Sequence, residues 1–258
     1  MKIATWNINS IKVRLPHILR WLTNNPDISI LCLQETKITN DQFPVSEIES
    51  IGFKVIFVGQ KSYNGVAILS RFVINNIIIN NPYFPDKNQR LITCTIAGFR
   101  IICIYVPHGE SLESPKYQYK LNWLYALKRL VSKELFFYKK LILLGDYNIA
   151  PEDCDVYNPV LLKNKITFSH LERSVFFEIQ NLNFIDIFRL FHKEKNLYTW
   201  WAYRKMSFTR NIGLRLDHIL MTPYLAKFCK SCIIDIAPRS WGRPSDHAPV
   251  IATLDISF

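Results

Sequence analysis

Short runs of apolar, β-favouring residues recur along this chain and restrict its fold more than any other feature. They lie at Lys2–Trp6, Ile28–Leu33, Lys54–Val58, Gly65–Leu69, Ile77–Ile79, Leu91–Ile96, Arg100–Val106 and Leu141–Leu144. Later runs are Leu216–Met221, Cys232–Ile236 and Pro249–Asp255. Many are apolar at nearly every position, which predicts strands covered on both faces. Helical patterns lie between them. The clearest runs from Pro115 to about Tyr138, with Tyr117, Leu121, Leu124, Val131 and Leu135 on one face and Lys120, Lys128, Arg129 and Lys133 toward the other side. Strands outnumber helices and alternate with them irregularly. That pattern predicts an α/β fold of two packed sheets flanked by helices, not one doubly wound sheet. No repeat, low-complexity tract or Gly/Ser linker divides the chain, so residues 1–258 are expected to form a single domain.

Charge narrows the partners. The formal charge is +11 with pI near 9.4, which points toward a polyanion. Between Arg189 and Arg243 stand eleven Lys or Arg against three acids, so most of the excess lies in about a fifth of the chain. Aromatic residues interleave with it in Tyr198-Thr199-Trp200-Trp201-Ala202-Tyr203-Arg204-Lys205. Nucleic-acid surfaces combine phosphate neutralisation with stacking in this way. The six cysteines are scattered, mostly within apolar runs, and read as buried free thiols of a reducing compartment. Cys229 and Cys232 have redox or zinc spacing but lack a second Cys/His pair at finger distance, so the spacing reads as incidental. Met1-Lys2 leads directly into a strand without a signal peptide, and no apolar stretch approaches the ~20 residues that span a bilayer. A cytoplasmic protein without membrane attachment is expected.

The polar residues able to do chemistry share one address: each adjoins a buried run. Trp6-Asn7 ends the first, and Gln34-Glu35-Thr36-Lys37 follows the second. Tyr105 closes the run after Arg100, and Gly145-Asp146-Tyr147-Asn148 follows Leu141–Leu144. Arg215-Leu216-Asp217 opens a late strand, and Ser245-Asp246-His247 precedes the last. Singly, each has a plain structural explanation: a helix N-terminal acid for Glu35, a turn for Asp146, Asn7 and Asn148, an ion pair with Arg215 or Arg243 for Asp217, a satisfied core histidine for His247. Together they supply acids for a hard metal, a histidine with an acid to orient it, and amide donors for phosphate oxygens. Clusters at strand termini can converge on one edge of a sheet pair, above a rigid backbone.

The strings Trp6-Asn7-Ile8-Asn9, Leu33-Gln34-Glu35-Thr36-Lys37 and Gly145-Asp146-Tyr147-Asn148-Ile149-Ala150-Pro151 resemble exonuclease III and the bacterial apurinic/apyrimidinic (AP) endonucleases. So do Gly213-Leu214-Arg215-Leu216-Asp217 and Ser245-Asp246-His247-Ala248-Pro249-Val250, and the stretch Glu152–Pro159 looks like that family's loop after the catalytic aspartate. Five strings in order cover essentially the whole chain. The resemblance implies a four-layered α/β sandwich, with two packed mixed sheets between helices. It also implies Mg²⁺-dependent hydrolysis of duplex DNA, 5′ to abasic sites and at 3′ ends, by a monomer, with Mn²⁺ able to substitute. Three residues depart from the family pattern: Asn9 stands where glycine is frequent, His108 where an amide is common, and His218 where an apolar or aromatic residue is usual. The loop after Asp155 also looks shorter than in some members.

Phosphodiester hydrolysis requires neutralised oxygens, an activated water and a stabilised leaving group. Mg²⁺ prefers oxygen ligands and is satisfied by one or two carboxylates. Glu35 is the expected ligand, with Asn7 beside it through an amide oxygen or a water. Asp146 is expected to orient and deprotonate water, Asn148 to bind a phosphate oxygen or that water, and His247, held by Asp217, to donate to the phosphate. By resemblance, Asp246 is a second metal-linked acid and Tyr105 lies near the leaving group. The division between acid and base stays open. Trp200, Leu214 and Leu216 match the family's abasic-site pocket, while Arg90, Arg204, Arg210, Arg215 and Arg243 are candidate phosphate contacts. Two other readings compete: a superfamily enzyme acting on a small phosphoester, such as an inositol phosphate or lipid headgroup, and a DNA-binding module without catalysis.

Overall fold

The computed structural model describes residues 1–256, so the last two residues of the expected 1–258 domain lie outside it. The strands of the first half are β1 (Lys2–Asn7), β2 (Ile28–Gln34), β3 (Lys54–Val58), β4 (Val66–Ser70), β5 (Ile74–Ile79), β6 (Leu91–Ile96) and β7 (Phe99–Tyr105). Those of the second half are β8 (Leu141–Asp146), β9 (Ile185–Asp186), β10 (Trp200–Trp201), β11 (Gly213–Leu214), β12 (Asp217–Met221), β13 (Cys229–Ile234) and β14 (Val250–Leu254). One six-stranded sheet has the order β13-β14-β1-β2-β4-β3, the other β5-β6-β7-β8-β12-β9, and β10 pairs with β11 alone. Each large sheet is mixed, because β1/β2 and β7/β8 are parallel and the other pairs antiparallel. Parallel neighbours need a crossover, which the helices Ile11–Asn24 and Pro115–Phe137 supply.

Alternation along the central strands builds the layers. Ile3 of β1, Ile30 and Cys32 of β2, Ile101 and Cys103 of β7, and Ile142 and Leu144 of β8 meet in one core between the sheets. The intervening residues face outward. Ala4, Trp6, Leu31 and Leu33 pack with Ile18, Trp21 and Leu22 of the first helix. Ile102, Ile104, Leu141 and Leu143 pack with Trp123, Leu124, Leu127 and Val131 of the long helix and with Val175, Phe176 and Ile179 of the helix His170–Gln180. The result is the four-layered α/β sandwich that the sequence predicts, with strands apolar on both faces because both faces are covered.

Local differences have identifiable causes. β5 begins at Ile74, three residues before the expected run, and crosses Asn75-Asn76; a register shift against β6 accommodates the pair on this edge strand. Lys120, expected on the outward side of its helix with Lys128, Arg129 and Lys133, is fully buried, because Glu172 of a neighbouring helix neutralises it. The six cysteines are all free, and five of them are buried. Among the described residues no helix is long and apolar enough to cross a membrane.

Candidate active site

The strand register explains why residues distant in sequence meet. Asn7 pairs with Gln34 across the parallel β1/β2 ladder, which places Glu35 beside it. Tyr105 lies opposite Asp146 on β7/β8, and Asp146 opposite Asp217 on β8/β12. The chain then enters left-handed backbone at Glu35 (φ 53°) and Asn148 (φ 48°). Such conformations cost roughly 1–3 kcal/mol on residues other than glycine and concentrate at functional sites.

Asn7 is the clamp at the centre. Its side-chain N–H₂ donates to Glu35 Oε1 and to Asp146 Oδ2, both at 2.8 Å. Its amide oxygen accepts the Asn9 N–H at 3.0 Å, which fixes the side chain and leaves that oxygen a second lone pair. Lys37 Nζ lies 2.7 Å from Glu35 Oε2. Burial alone would raise the Glu35 pKa, but Lys37 and the Asn7 bond override it and keep the carboxyl ionised.

Asp146 Oδ1 accepts the Asn148 N–H at 2.8 Å. Burial, with the charge of Asp217 added and His247 only partly compensating, lifts its pKa to about 7. His247 Nδ1 lies 2.8 Å from Asp217 Oδ2, and its Nε2 lies 3.8 Å from Asp146 Oδ2. Burial opposes charge on this ring, yet Asp217 and Asp146 win and raise its pKa to about 10. His247 is therefore an imidazolium whose Nδ1–H donates to Asp217. Tyr105 is held protonated, by burial first and then by the charges of Glu35 and Asp146.

One ligand atom from each of Glu35, Asp146 and His247 lies within 4.8 Å of the others, a spacing that could hold a metal ion. Asp246 is not part of that group. Its Oδ1 accepts from Asn9 Nδ2 at 2.9 Å and its Oδ2 from Trp200 Nε1 at 3.0 Å, which fixes the carboxylate's orientation and leaves each oxygen a further lone pair. Burial would raise its pKa, but the His247 charge and these two bonds lower it.

A cavity of about 600 Å³ opens beside this cluster, lined by Glu35, Tyr105, Asn148 and His247 on one side and by Trp200, Leu214 and Leu216 on the other. The β10/β11 pairing sets Trp200 against Leu214. The Thr199 hydroxyl accepts the N–H groups of Leu216 and Asp217, which ties this wall to the partner of His247. A second cavity of about 800 Å³ shares Glu35, Tyr105 and His108 with the first and adds Lys37, Asn64 and Arg90.

Of the arginines, Arg90 lies over the Tyr105 ring at 4.8 Å. Arg204, Arg210 and Arg243 are exposed in loops, and none of them lines either cavity. Arg215 is not a phosphate contact. It is fully buried, with Nε 2.5 Å from Asp155 Oδ1, Nη2 2.9 Å from Asp186 Oδ2 and Nη1 2.9 Å from His218 Nδ1. The unusual His218 completes this network, with its Nε2 2.8 Å from the Ile149 carbonyl oxygen. Sequence reasoning missed the roles of Lys37, Asn9, Thr199 and Arg14. Lys37 and Asn9 stand inside the motif strings. Arg14, which donates to the Asn9 and Pro244 carbonyls at 2.5 and 2.9 Å, carries no sequence signal.

Comparison with known proteins agrees with this geometry. Residues 4–247 match the endonuclease/exonuclease/phosphatase family. The chain is 30% identical to exodeoxyribonuclease III of Haemophilus influenzae, covering 98% of this chain and 99% of that one. It is 31% identical to an exodeoxyribonuclease of Bacillus subtilis, covering 99% and 100%. Among solved structures, the 3′-5′ exonuclease NExo of Neisseria meningitidis superposes with TM-score 0.97 at 44% identity, covering 99% of this chain and 100% of that one. An AP endonuclease of Archaeoglobus fulgidus does so with TM-score 0.95 at 41% identity and the same coverage. NExo from Neisseria has also been solved as a 3′ phosphatase bound to a product DNA hairpin. Whole-length matches on one fold place this chain in the endonuclease/exonuclease/phosphatase family, on its exonuclease III and AP endonuclease branch.

Proposed function

We propose that this chain is a DNA-repair phosphodiesterase that hydrolyses duplex DNA 5′ to abasic sites and trims 3′ ends. The observation that carries the reading is the union of two features in one cavity: an acid–histidine cluster and an apolar wall of Trp200, Leu214 and Leu216. A base-free sugar fits such a wall, whereas a base would need room and hydrogen-bonding edges. A small, highly charged inositol phosphate has no use for it. The complete catalytic set argues against a module that only binds.

The residues suit a hard divalent cation, Mg²⁺ with Mn²⁺ as substitute. Glu35 and Asp146 offer carboxylate oxygens, and the protonated His247 leaves the ligand set to oxygen. When bound, the ion supplies neutralising charge at the phosphate. Asp146, with one oxygen fixed by Asn148 N–H and the other by Asn7, is poised to orient and deprotonate the attacking water. The His247 imidazolium offers its Nε2–H to a phosphate oxygen, stabilised through Nδ1–H by Asp217. Asn148 and the Tyr105 hydroxyl face the same cavity and serve as neutral donors to the phosphate and leaving oxygen. Arg90, Arg204, Arg210 and Arg243 supply phosphate contacts around the rim.

We read residues 1–258 as one catalytic domain acting as a cytoplasmic monomer. β1 pairs with β14, so the first and last strands lie side by side in one sheet. The free thiols suit a reducing compartment. The test is a duplex carrying one tetrahydrofuran abasic analogue, incubated with Mg²⁺, with Mn²⁺ or with chelator, beside a 3′-phosphate nicked duplex and an inositol phosphate. Metal-dependent scission 5′ to the analogue and removal of the 3′ block are expected. Hydrolysis of the inositol phosphate alone, or DNA binding without cleavage, would overturn the reading.

A further inference from the structure

One buried ion pair takes no part in this chemistry. Lys120 and Glu172 are both fully buried, with Nζ 2.5 Å from Oε1. The same ammonium donates to the Asn148 carbonyl at 2.7 Å and to the His108 carbonyl at 3.2 Å. Its three hydrogens thus have three acceptors inside the protein, and none is left for substrate. Glu172 is equally committed. It accepts the Thr167 N–H at 3.1 Å, the Ser169 N–H at 3.0 Å and the Ser169 hydroxyl at 2.6 Å.

These partners belong to three segments that meet at the proposed catalytic cavity, which His108, Asn148 and Thr167 all line. Asn148 is the residue whose N–H fixes Asp146, and it does so in left-handed backbone that something must hold. Gly109 follows the same logic. Its φ of 92° permits a tight approach in which a Cβ would stand 3.2 Å from Lys120 Cδ and 2.9 Å from Ile166 Cδ1. Burying two charges is a poor route to stability, since apolar residues of the same volume serve as well or better. What a salt bridge adds is direction.

We propose that the Lys120–Glu172 pair is a positioning device that locks segments 107–109, 146–149 and 165–168 in mutual register, and through Asn148 aligns Asp146 for the chemical step. Lys120 touches no substrate and acts through the carbonyls it holds. The inference rests on the cavity being a phosphodiesterase site, so the parent protein is assayed alongside. A silent parent indicts the function, not the pair.

The test is the double variant Lys120→Met/Glu172→Gln, which removes both charges together. The single-turnover rate on the abasic duplex is expected to fall ten- to a hundredfold, the scale of a small misplacement of catalytic groups. Affinity for the same duplex without metal should stay within threefold, and deuterium uptake should rise in the three named segments only. Gly109→Ala, which presses on the Lys120 stem without changing charge, should shift rate and uptake in the same direction, and it decides the matter if the double variant does not fold. A folded variant that cleaves within threefold of the parent, or whose loss is all in affinity, would overturn the proposal.

Discussion

Asp217→Asn tests the catalytic assignment most directly, because the structure ties a definite charge to a definite bond. His247 is lifted from an ordinary 6.5 to about 10, with Asp217 the largest favourable contributor against burial. That difference means the ring holds its proton more firmly than a free histidine by roughly 5 kcal/mol. Asparagine keeps the shape and can still meet Nδ1, but it removes the charge that offsets burial. Asp146, with its oxygen 3.8 Å from Nε2, remains as a weaker support. The His247 pKa should therefore fall toward or below its ordinary value. A group that works protonated loses activity as pH rises through its pKa, so the variant should gain a descending limb near neutral pH, where the parent's rate still rises as Asp146, with a pKa of about 7, loses its proton. At pH 8 the single-turnover rate should drop about 10²–10³-fold, the range of a positioned acid or charge stabiliser. The loss should shrink at pH 6. The assay is cleavage of an abasic duplex at saturating protein across pH 5.5–9.5, with circular dichroism confirming the fold. Parallel pH profiles, or rates within threefold at pH 8, would refute the reasoning.

The remaining tests separate pocket, rim and core. Arg215→Met should destabilise the fold by about 3–5 kcal/mol, because it removes the main counter-charge of the buried Asp155 and Asp186 and leaves Asp155 only Arg189. Burial would raise both carboxyl pKa values, but Arg215 holds them below the ordinary range. Their contribution is therefore present above about pH 4 and fades as pH falls, so in urea melts the penalty should be smaller at pH 4 than at pH 7. An unchanged melt with an altered salt dependence of DNA binding would restore Arg215 as a phosphate contact. Trp200→Ala should erode the rate ratio of abasic over intact duplex more than it erodes binding. Asp246→Ala, which frees the Trp200 ring, should do the same while leaving the Mg²⁺ titration midpoint unchanged; a shifted midpoint would return Asp246 to the metal. Alanine at Arg204, Arg210 or Arg243 should weaken abasic and intact duplexes together and reduce the salt slope by about one, and a changed ratio between the two substrates would count against rim contacts.

What the sequence alone determined here is whatever depends on neighbours along the chain. Strands apolar at every position announce two covered faces, and the polar residue after each run announces a strand end. Both follow from local order, so the layered fold and the addresses of Asn7, Glu35, Tyr105, Asp146, Asp217 and His247 were legible. The string Gly213–Asp217 also carried Leu214 and Leu216, and the aromatic segment Tyr198–Lys205 carried Trp200, to the cavity that the structure shows. What tertiary structure alone decided is the partner of each charge. Lys120 and Arg215 look like surface cations in sequence, yet the first meets Glu172 at a separation of 52 residues and the second meets Asp155 at 60. Asp246 reads as one more metal-linked acid, and only the fold shows that Asn9, 237 residues away, and Trp200, 46 away, orient its carboxylate. A charge stays in water unless an opposite charge or a set of dipoles meets it in the interior. That meeting is a property of packed elements, and no local pattern records it.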